Sequence, residues 1–589
     1  MVKALKTLFN QMWSDTQLPL LMKKAHIVLI PKVKDSKNPQ NLRPITLINA
    51  IYKLFDKLVT ERLRRDITEK NIIHPSQAGF ISGRNCTEHI FSLQTIIALR
   101  EKMSKPTYCA YLDLKKAFDS VHRGLLFKTM LDRGIDSKLV AIIQEMYKDE
   151  SSSIIINGRL SKWISINKGV RQGGCSSPLC FNFIPNELAW ELENKKLGVA
   201  IPGGQTIGLL LYADDVVLIA ESSTQLNRMC MVVQDWLNRY KLLLNIAKSN
   251  VVVYHSRDRP RIEINGERLQ VINSYKYLGY LVDKRIGNTT HLKERLGKMK
   301  ASVGTFMGML HAMKGVRIEK KKTIARACIN TVALYGTEVF ATSENYNSVL
   351  EMMERLQRRY ARRLLGAPRN ACNETVLNDA DIVSIETELD NRLLAFRCRL
   401  QTKGNAIIQD LLQINKQWLL PWEIRCRKVQ EKYGLPDDGI NDHWSKMKMR
   451  SDAKKIERMP TETWKTTGLY RTLIGSEPKD GLPLYLRGTP AMNGATSIIF
   501  GLRAGSNFTN QCRYTRHIID SPDCKFCGKP VEDEVHVIEE CEAYEESRIK
   551  ITEFLKGLLK DHFSLLKLTE IVLYSWRLEQ SWKRNAEGK

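Results

Sequence analysis

IGLLLYADDVVLIA, residues 207–220, sets two apolar runs of strand length on either side of Tyr212, Ala213, Asp214 and Asp215. The pattern predicts a hairpin whose tip carries adjacent carboxylates. An isolated Asp-Asp pair is usually a solvated turn. Between two core strands, however, the acids would repel each other and lose hydration unless cations neutralise them. Asp113 closes a further apolar run, TYCAYLDL, and an antiparallel partner strand would bring it alongside. Three carboxylates supply the hard oxygen ligands that suit Mg²⁺, and a pair of such ions can activate a hydroxyl and steady a leaving pyrophosphate.

Residues 25–283 alternate β-type runs (AHIVLIP, YCAYLDL, SSIIING, SNVVVYH) with helical stretches at 51–70 and 223–244, an α+β pattern. Beyond 285 helical periodicity takes over. A helix is expected over 349–365, ending at Gly366 and Pro368, with Val349, Met353, Leu356, Tyr360 and Leu364 on one face. Arg355, Arg358, Arg359, Arg362 and Arg363 form a stripe on another face, a candidate phosphate-backbone contact as well as a plain solvated surface. Trp418, Trp422, Trp444 and Trp464 are interleaved with cations and are expected chiefly as core anchors. At the start, Leu5, Leu8, Phe9 and Met12 have helical spacing with no capping residue before them, which leaves room for the natural unit to begin upstream.

The 91 Lys and Arg outnumber 64 Asp and Glu, a formal charge of +27, so polyanions are the leading partner class. Thirteen cysteines stand mostly alone in apolar stretches (Cys109, Cys180, Cys230, Cys328), as reduced, buried thiols do. No apolar run approaches the roughly twenty residues that span a bilayer. An intracellular protein without membrane contact is expected.

The ordered set of motifs resembles the reverse transcriptases of non-LTR retrotransposons, with group II intron and telomerase enzymes as more distant relatives. The motifs are KKAHIVLIPKVKDSKNPQNLRPITLINAIYKLFDKLVTERL (23–63), QAGFISGRN (77–85), YLDLKKAFDSVHR (111–123), GVRQGG (169–174), YADD (212–215), LNIAKS (244–249) and YKYLGYLVD (275–283). The resemblance implies a right hand of fingers, palm and helical thumb. It implies that Asp113 and Asp214 bind both of two Mg²⁺ ions, with Asp215 completing the site. Phe118 would be the steric gate against a ribose 2′-hydroxyl, and Arg84 would grip the incoming triphosphate. Gln172, Gly173 and Tyr212 would line the nucleotide and template pocket. Lys248 would protonate pyrophosphate, YKYLG would be the primer grip, and Arg43 would contact nucleic acid. After Arg171-Gln172-Gly173 the family pattern has an acid and Pro-Leu-Ser-Pro, whereas this chain reads GCSSPLCFN.

Near the end, Cys524-x2-Cys527-x8-His536-x4-Cys541 has the spacing of a tetrahedral zinc site for one Zn²⁺, and the family carries a similar C-terminal module. Between 530 and 546 there are eight acids and no Lys or Arg. Phosphate would be repelled there, so the module is expected to be a structural clamp or docking surface, with nucleic-acid contact left to Arg513, Arg516 and the Lys-rich tail.

The expected organisation is an N-terminal helical extension (1–24), fingers and palm (25–283), a helical thumb with the basic helix (284–415), a helical connector (416–520), the zinc knuckle (521–546) and a basic helical tail (547–589). The expected activity is RNA-directed DNA synthesis from dNTPs on template RNA, primed by target DNA in the nucleus. A degraded RNA-binding relative and an intron-encoded maturase are the competing readings. With no nuclease segment visible, a partial element product is also expected. Template, insertion site and oligomeric state are left open by the sequence.

Overall fold

Strand Thr107–Leu112 is buried at every position, as a strand covered on both faces must be, and it lies at the centre of a five-stranded sheet. The order is Gln270–Val271, Asn250–Tyr254, Thr107–Leu112, Asp215–Ala220, Leu209–Tyr212. The middle strand pairs antiparallel with both neighbours. Helix Ser223–Tyr240, capped by the Ser222 side chain and ended by Lys241 at φ 55°, packs on strands Thr107–Leu112 and Asp215–Ala220. Helix Ser177–Asn194 packs beside it, and Trp236 Nε1 donates to Ile184 O at 2.9 Å.

The computed structural model describes residues 2–32, 42–284, 290–313, 315–339, 346–367, 371, 373–435, 509–515, 517–533 and 535–559. Contacts divide the chain into two units, Met1–Asn288 with Arg399–Ile424, and Thr289–Cys398 with Arg425–Lys589.

The first unit holds a second sheet, in which Lys24–Pro31 runs antiparallel to Leu42–Ile48 and parallel to Ser151–Ile156. Short strands Arg159–Leu160 and Ile164–Ser165 both pair with Ser151–Ile156. Helix Val2–Asp15 has the anticipated face: Met12 is buried, and Leu8, Phe9 and Trp13 pack on the unit's main core, with Phe9 5.4 Å from Phe55. Helix Ala406–Trp418 also belongs to this unit, where Asn415 Nδ2 donates to Thr95 Oγ1 at 2.9 Å.

The regular elements among the second unit's described residues are helices, and residues 517–533 are turns and loops. Helix Tyr346–Leu365 begins three residues before the expected start and ends at Gly366, φ 66°. Its apolar face joins helix Thr290–Ala312 in one core, where Phe306 meets Tyr360 edge-on at 6.1 Å. The arginine stripe is partly compensated from within its own helix. Arg355 pairs with Glu351 at 2.5 Å and Arg358 with Glu354 at 3.9 Å, because the acids one turn earlier sit on the same face. Arg362 donates to Ala371 O and to the Asn373 side chain.

Cys109, Cys180 and Cys230 are buried as expected, whereas Cys328 is exposed on the helical turn Arg326–Asn330. Trp418 and Trp422 close the end of the first unit, and the Trp422 ring lies 4.8 Å from that of Phe91. Trp444, Trp464, Pro368, Arg516 and the tail from 560 onward lie outside the described residues. Among the described residues, no helix is long and apolar enough to cross a membrane.

Candidate active site

Pairing of Val216 with Leu112 and of Val217 with Tyr111 fixes the register of the two central strands. Asp215 and Asp113 are the next residues of the two strands beyond the pair of Val216 with Leu112. The hairpin turn between Tyr212 and Asp215, themselves a register pair, is Ala213-Asp214. All three acids therefore meet at one end of the sheet. Burial pushes the Asp214 carboxyl up; the Asp113 charge adds to that, while a backbone hydrogen bond and Arg43 oppose it. Asp215 is pushed up to about 7, first by burial and then by the charges of Asp214 and Asp113. Carboxylates this crowded ionise together only when cations share them, and oxygen donors favour a hard divalent ion.

The turn carries backbone strain, with Ala213 at φ 56°, a left-handed conformation that costs a residue with a Cβ on the order of 1–2 kcal/mol. It is held from outside. Gln77 Oε1 accepts from Ala213 N at 3.0 Å and from Gly79 N at 2.8 Å. Leu211 is bound on both edges of its peptide, its N to Ser76 O and its O to Ala78 N, each at 2.9 Å. A Cβ on Gly79 would stand 2.3 Å from Ala213 N, so the approach requires glycine. Asn182 Nδ2 donates to Gly79 O at 2.7 Å and fixes the clamp to helix Ser177–Asn194.

Asp113 is held by the LNIAKS segment. Asn245 Nδ2 donates to its Oδ2 at 2.8 Å, Asn245 N donates to its O at 2.8 Å, and Asp113 N donates to Ser249 Oγ at 3.1 Å. Lys248, the residue singled out in that segment, is exposed on a single helical turn, Ile246–Lys248. Gln77, Asn182 and Asn245 escaped the sequence reading as site residues. Gln77 and Asn245 lie inside the quoted motifs, and their amide side chains were the available signal.

The YKYLG segment forms hairpin Ser274–Tyr277 and Tyr280–Asp283, turned by Leu278 and Gly279 at φ 46° and 78°. Tyr275 stacks on Tyr111 at 4.3 Å and 18°, and its hydroxyl is pushed up to about 12 by burial and by the charges of Asp215 and Asp113. The hairpin thus sits against the acid end of the sheet.

Phe118 stacks on Phe181 at 4.6 Å and meets Phe80 edge-on at 6.2 Å. Arg84 is largely enclosed, paired to Glu88 at 2.5 Å. Gln172 Nε2 donates to Asp119 Oδ1 at 3.0 Å, and Gln172 O accepts from Thr46 N at 2.8 Å. Gly173, φ 131°, passes so near Thr46 O that a Cβ would stand at 2.5 Å. The Tyr212 hydroxyl is pushed up to about 12 by burial and by the neighbouring Cys86. The unusual GCSS stretch is anchored by Asp56, whose carboxylate accepts from Cys175 N at 2.6 Å and Ser176 N at 3.2 Å. Arg43 is exposed on its strand, across from Ile30.

In the second unit, one ligand atom from each of Cys524, Cys527, His536 and Cys541 lies within 4.8 Å of the others. Cys524 Sγ is 3.8 Å from Cys541 Sγ, and Cys527 Sγ is 3.2 Å from His536 Nε2.

Residues 30–282 match the family model for reverse transcriptase (RNA-dependent DNA polymerase). That stretch contains every element of the acid site. A probable RNA-directed DNA polymerase from transposon BS of Drosophila melanogaster is 23% identical over 69% of this chain and 45% of its own length. The RNA-directed DNA polymerase from mobile element jockey of the same species is 22% identical over 69% of this chain and 44% of its own. A retrovirus-related Pol polyprotein from the type-1 retrotransposable element R2 of Popillia japonica is 28% identical over 43% of this chain and 36% of its own. The chain thus has homologues among the RNA-directed DNA polymerases of non-LTR retrotransposons, and it spans less than half the length of these relatives.

Proposed function

We propose that the chain is an RNA-directed DNA polymerase of a non-LTR retrotransposon, extending a DNA 3′ end on template RNA with dNTPs. The observation that carries this reading is the strand register that ends at Val216 and Leu112, with Asp215 and Asp113 the next residues of the two strands and Asp214 on the adjoining turn. Two Mg²⁺ ions held by these carboxylates would supply the Lewis acidity for nucleotidyl transfer. Phe118 would exclude the 2′-hydroxyl, Arg84, Gln172, Gly173 and Tyr212 would border the nucleotide, and Lys248 would serve the leaving pyrophosphate. Primer extension on an RNA template with Mg²⁺ tests the reading. Wild type should incorporate dNTPs and Asp214→Ala should not; equal incorporation by both would refute the assigned catalyst.

The primer, in this proposal, is nicked chromosomal DNA, so the enzyme acts in the nucleus. The Cys524, Cys527, His536 and Cys541 cluster would hold one Zn²⁺. Its sulfur–sulfur and sulfur–nitrogen separations are near those of donors placed tetrahedrally at about 2.3 and 2.0 Å from zinc. The acids around it support a clamp or docking role in preference to phosphate contact. A Cys524→Ser chain that stays folded yet loses RNA affinity in a salt-dependent way would overturn that role.

A further inference from the structure

Helix Cys86–Lys102 lies between the acid hairpin and a segment of chain that returns from far downstream. Twelve of its seventeen residues are buried, so its polar side chains must find partners inside the first unit. One of them faces the hairpin. His89, 1% exposed, carries Nε2 at 2.8 Å from Leu211 O, the carbonyl just before Tyr212. That carbonyl also accepts from Ala78 N at 2.9 Å, so both of its lone pairs are used. A carbonyl can only accept, which makes Nε2 the protonated ring nitrogen. Among the described residues the other nitrogen, Nδ1, is buried without a partner. An apolar side chain would avoid that cost, so packing alone does not account for a histidine here.

Glu88, Phe91 and Thr95, at i, i+3 and i+7, share a neighbouring face of the helix. Each meets the segment Arg399–Ile424, which belongs to the first unit. The Arg399 guanidinium lies 4.0 Å from the Glu88 carboxylate, Trp422 meets Phe91, and Asn415 Nδ2 donates to Thr95 Oγ1. Asn405 caps helix Ala406–Trp418 with its Oδ1 and donates from Nδ2 to Pro75 O at 2.8 Å, two residues before Gln77. The same returning segment thus holds both the helix that carries His89 and the loop that carries Gln77.

We propose that His89 is a positioning residue for the three acids: through Leu211 O it fixes the strand that leads into the Ala213-Asp214 turn, and residues 399–418 keep its helix in place from the far side. The proposal rests on the polymerase reading, in which the acids share two Mg²⁺ ions, and adds the support that sets their spacing. A loosened strand end shifts Asp214 and Asp215 relative to Asp113, which is held independently by Asn245. Ligands displaced by a fraction of an ångström bind a divalent ion less well and serve the reaction less well, while the nucleotide's own contacts are untouched.

Two assays on the full chain test this, the rise in melting temperature that Mg²⁺ confers without nucleotide, and single-nucleotide extension of a primer on RNA. His89→Phe keeps a ring and removes the donor. It should raise the Mg²⁺ concentration for half of the melting rise about tenfold and lower kcat about tenfold, with KM for dNTP unchanged. His89→Gln, which returns an N–H donor at similar reach, should recover most of both. Burial and the Arg84 charge push the His89 ring down to about 3, so it stays neutral in the assay range and the pH profile of the glutamine variant should follow wild type. Asn415→Leu, on the far side of the helix, should raise the Mg²⁺ requirement in the same direction. A wild-type Mg²⁺ requirement in His89→Phe, equal losses in the phenylalanine and glutamine variants, or a displaced pH profile would overturn the proposal. Should His89→Phe not fold, a wild-type Mg²⁺ requirement in Asn415→Leu overturns it instead. Failure of primer extension in a wild type that Mg²⁺ still stabilises would count against the polymerase reading alone.

Discussion

Gln77 Oε1 accepts a hydrogen bond from Ala213 N at 3.0 Å and so braces the strained turn between Tyr212 and Asp215 from a segment more than one hundred residues away. Gln77→Ala leaves that peptide N–H without its acceptor, a loss of about 1–3 kcal/mol for a buried group. The turn should relax and the acids should lose their common focus. Primer extension under saturating dNTP is expected to fall at least about tenfold, the change that 1.4 kcal/mol produces in a rate. Gly79→Ala should do more damage, since its Cβ would meet backbone atoms that have no rotamer to yield. Wild-type rates in both variants would remove the clamp from the mechanism.

Asp215 gives a pH dependence with a definite sign. Without divalent cations its folded pKa of about 7 lies above the unfolded value near 4, so folding takes up a proton. Stability is then fully present at the acidic end and falls as pH rises from about 4 through about 7. The metal-free chain should melt lower at pH 8 than at pH 5.5, and Asp215→Asn should flatten that slope. Mg²⁺ should raise the melting temperature more at pH 8 than at pH 5.5, because protons and cations compete for one group. Parallel melting curves for wild type and variant across this range would contradict the shared-cation site.

Those two residues mark how far the sequence could be read. Asp215 was legible because two acids between apolar strand runs, set in an ordered series of motifs, outweigh the solvated turn that an isolated pair would make, and hairpin periodicity gave the strands on either side of them. Gln77 was not, because an amide's role depends on which distant backbone it reaches, and neither periodicity nor charge encodes that. Asn245 was passed over for the same reason; Lys248, which the resemblance singles out in the same segment, has an exposed side chain. The arginine stripe was legible as cations sharing one helix face; Glu351 and Glu354, one turn before Arg355 and Arg358, supply part of the balance. The placement of helix Ala406–Trp418 with the first unit depends on tertiary packing through Asn415 and Thr95, which local sequence does not reveal.

Phe118 should govern sugar selection. Its ring is fixed in place by stacking on Phe181 and by the edge of Phe80, so a smaller side chain opens space without freeing its neighbours. Phe118→Val is expected to raise the rNTP-to-dNTP ratio of kcat/KM on the order of tenfold to a hundredfold, the range by which an apolar wall discriminates. The check is single-nucleotide incorporation with each sugar on the same template. An unaltered ratio would assign Phe118 to packing.

Zinc content offers a direct measurement. The full chain, purified without chelator, should carry about one zinc per molecule, and Cys527→Ser should carry much less. Chelation should expose the segment around 524–541 to protease while the first unit's melting transition persists, because its core contains none of the four ligands. A chain whose protease pattern is indifferent to chelator would speak against a structural ion.

Among the arginines of helix Tyr346–Leu365, geometry separates two roles. Arg362 is tied to Ala371 O and Asn373, so Arg362→Ala should lower thermal stability by loosening the chain after the helix. Arg359 is exposed on the same helix, and as a phosphate contact it should act through counterion release. Arg359→Ala is then expected to reduce the slope of log affinity against log salt by about 1 for any RNA sequence, with melting unchanged. Arg355, pinned to Glu351, should show a smaller effect, since its charge is already shared. If Arg355→Ala and Arg359→Ala change the slope equally, the internal ion pair does not govern the stripe, and local charge density alone sets its affinity for RNA.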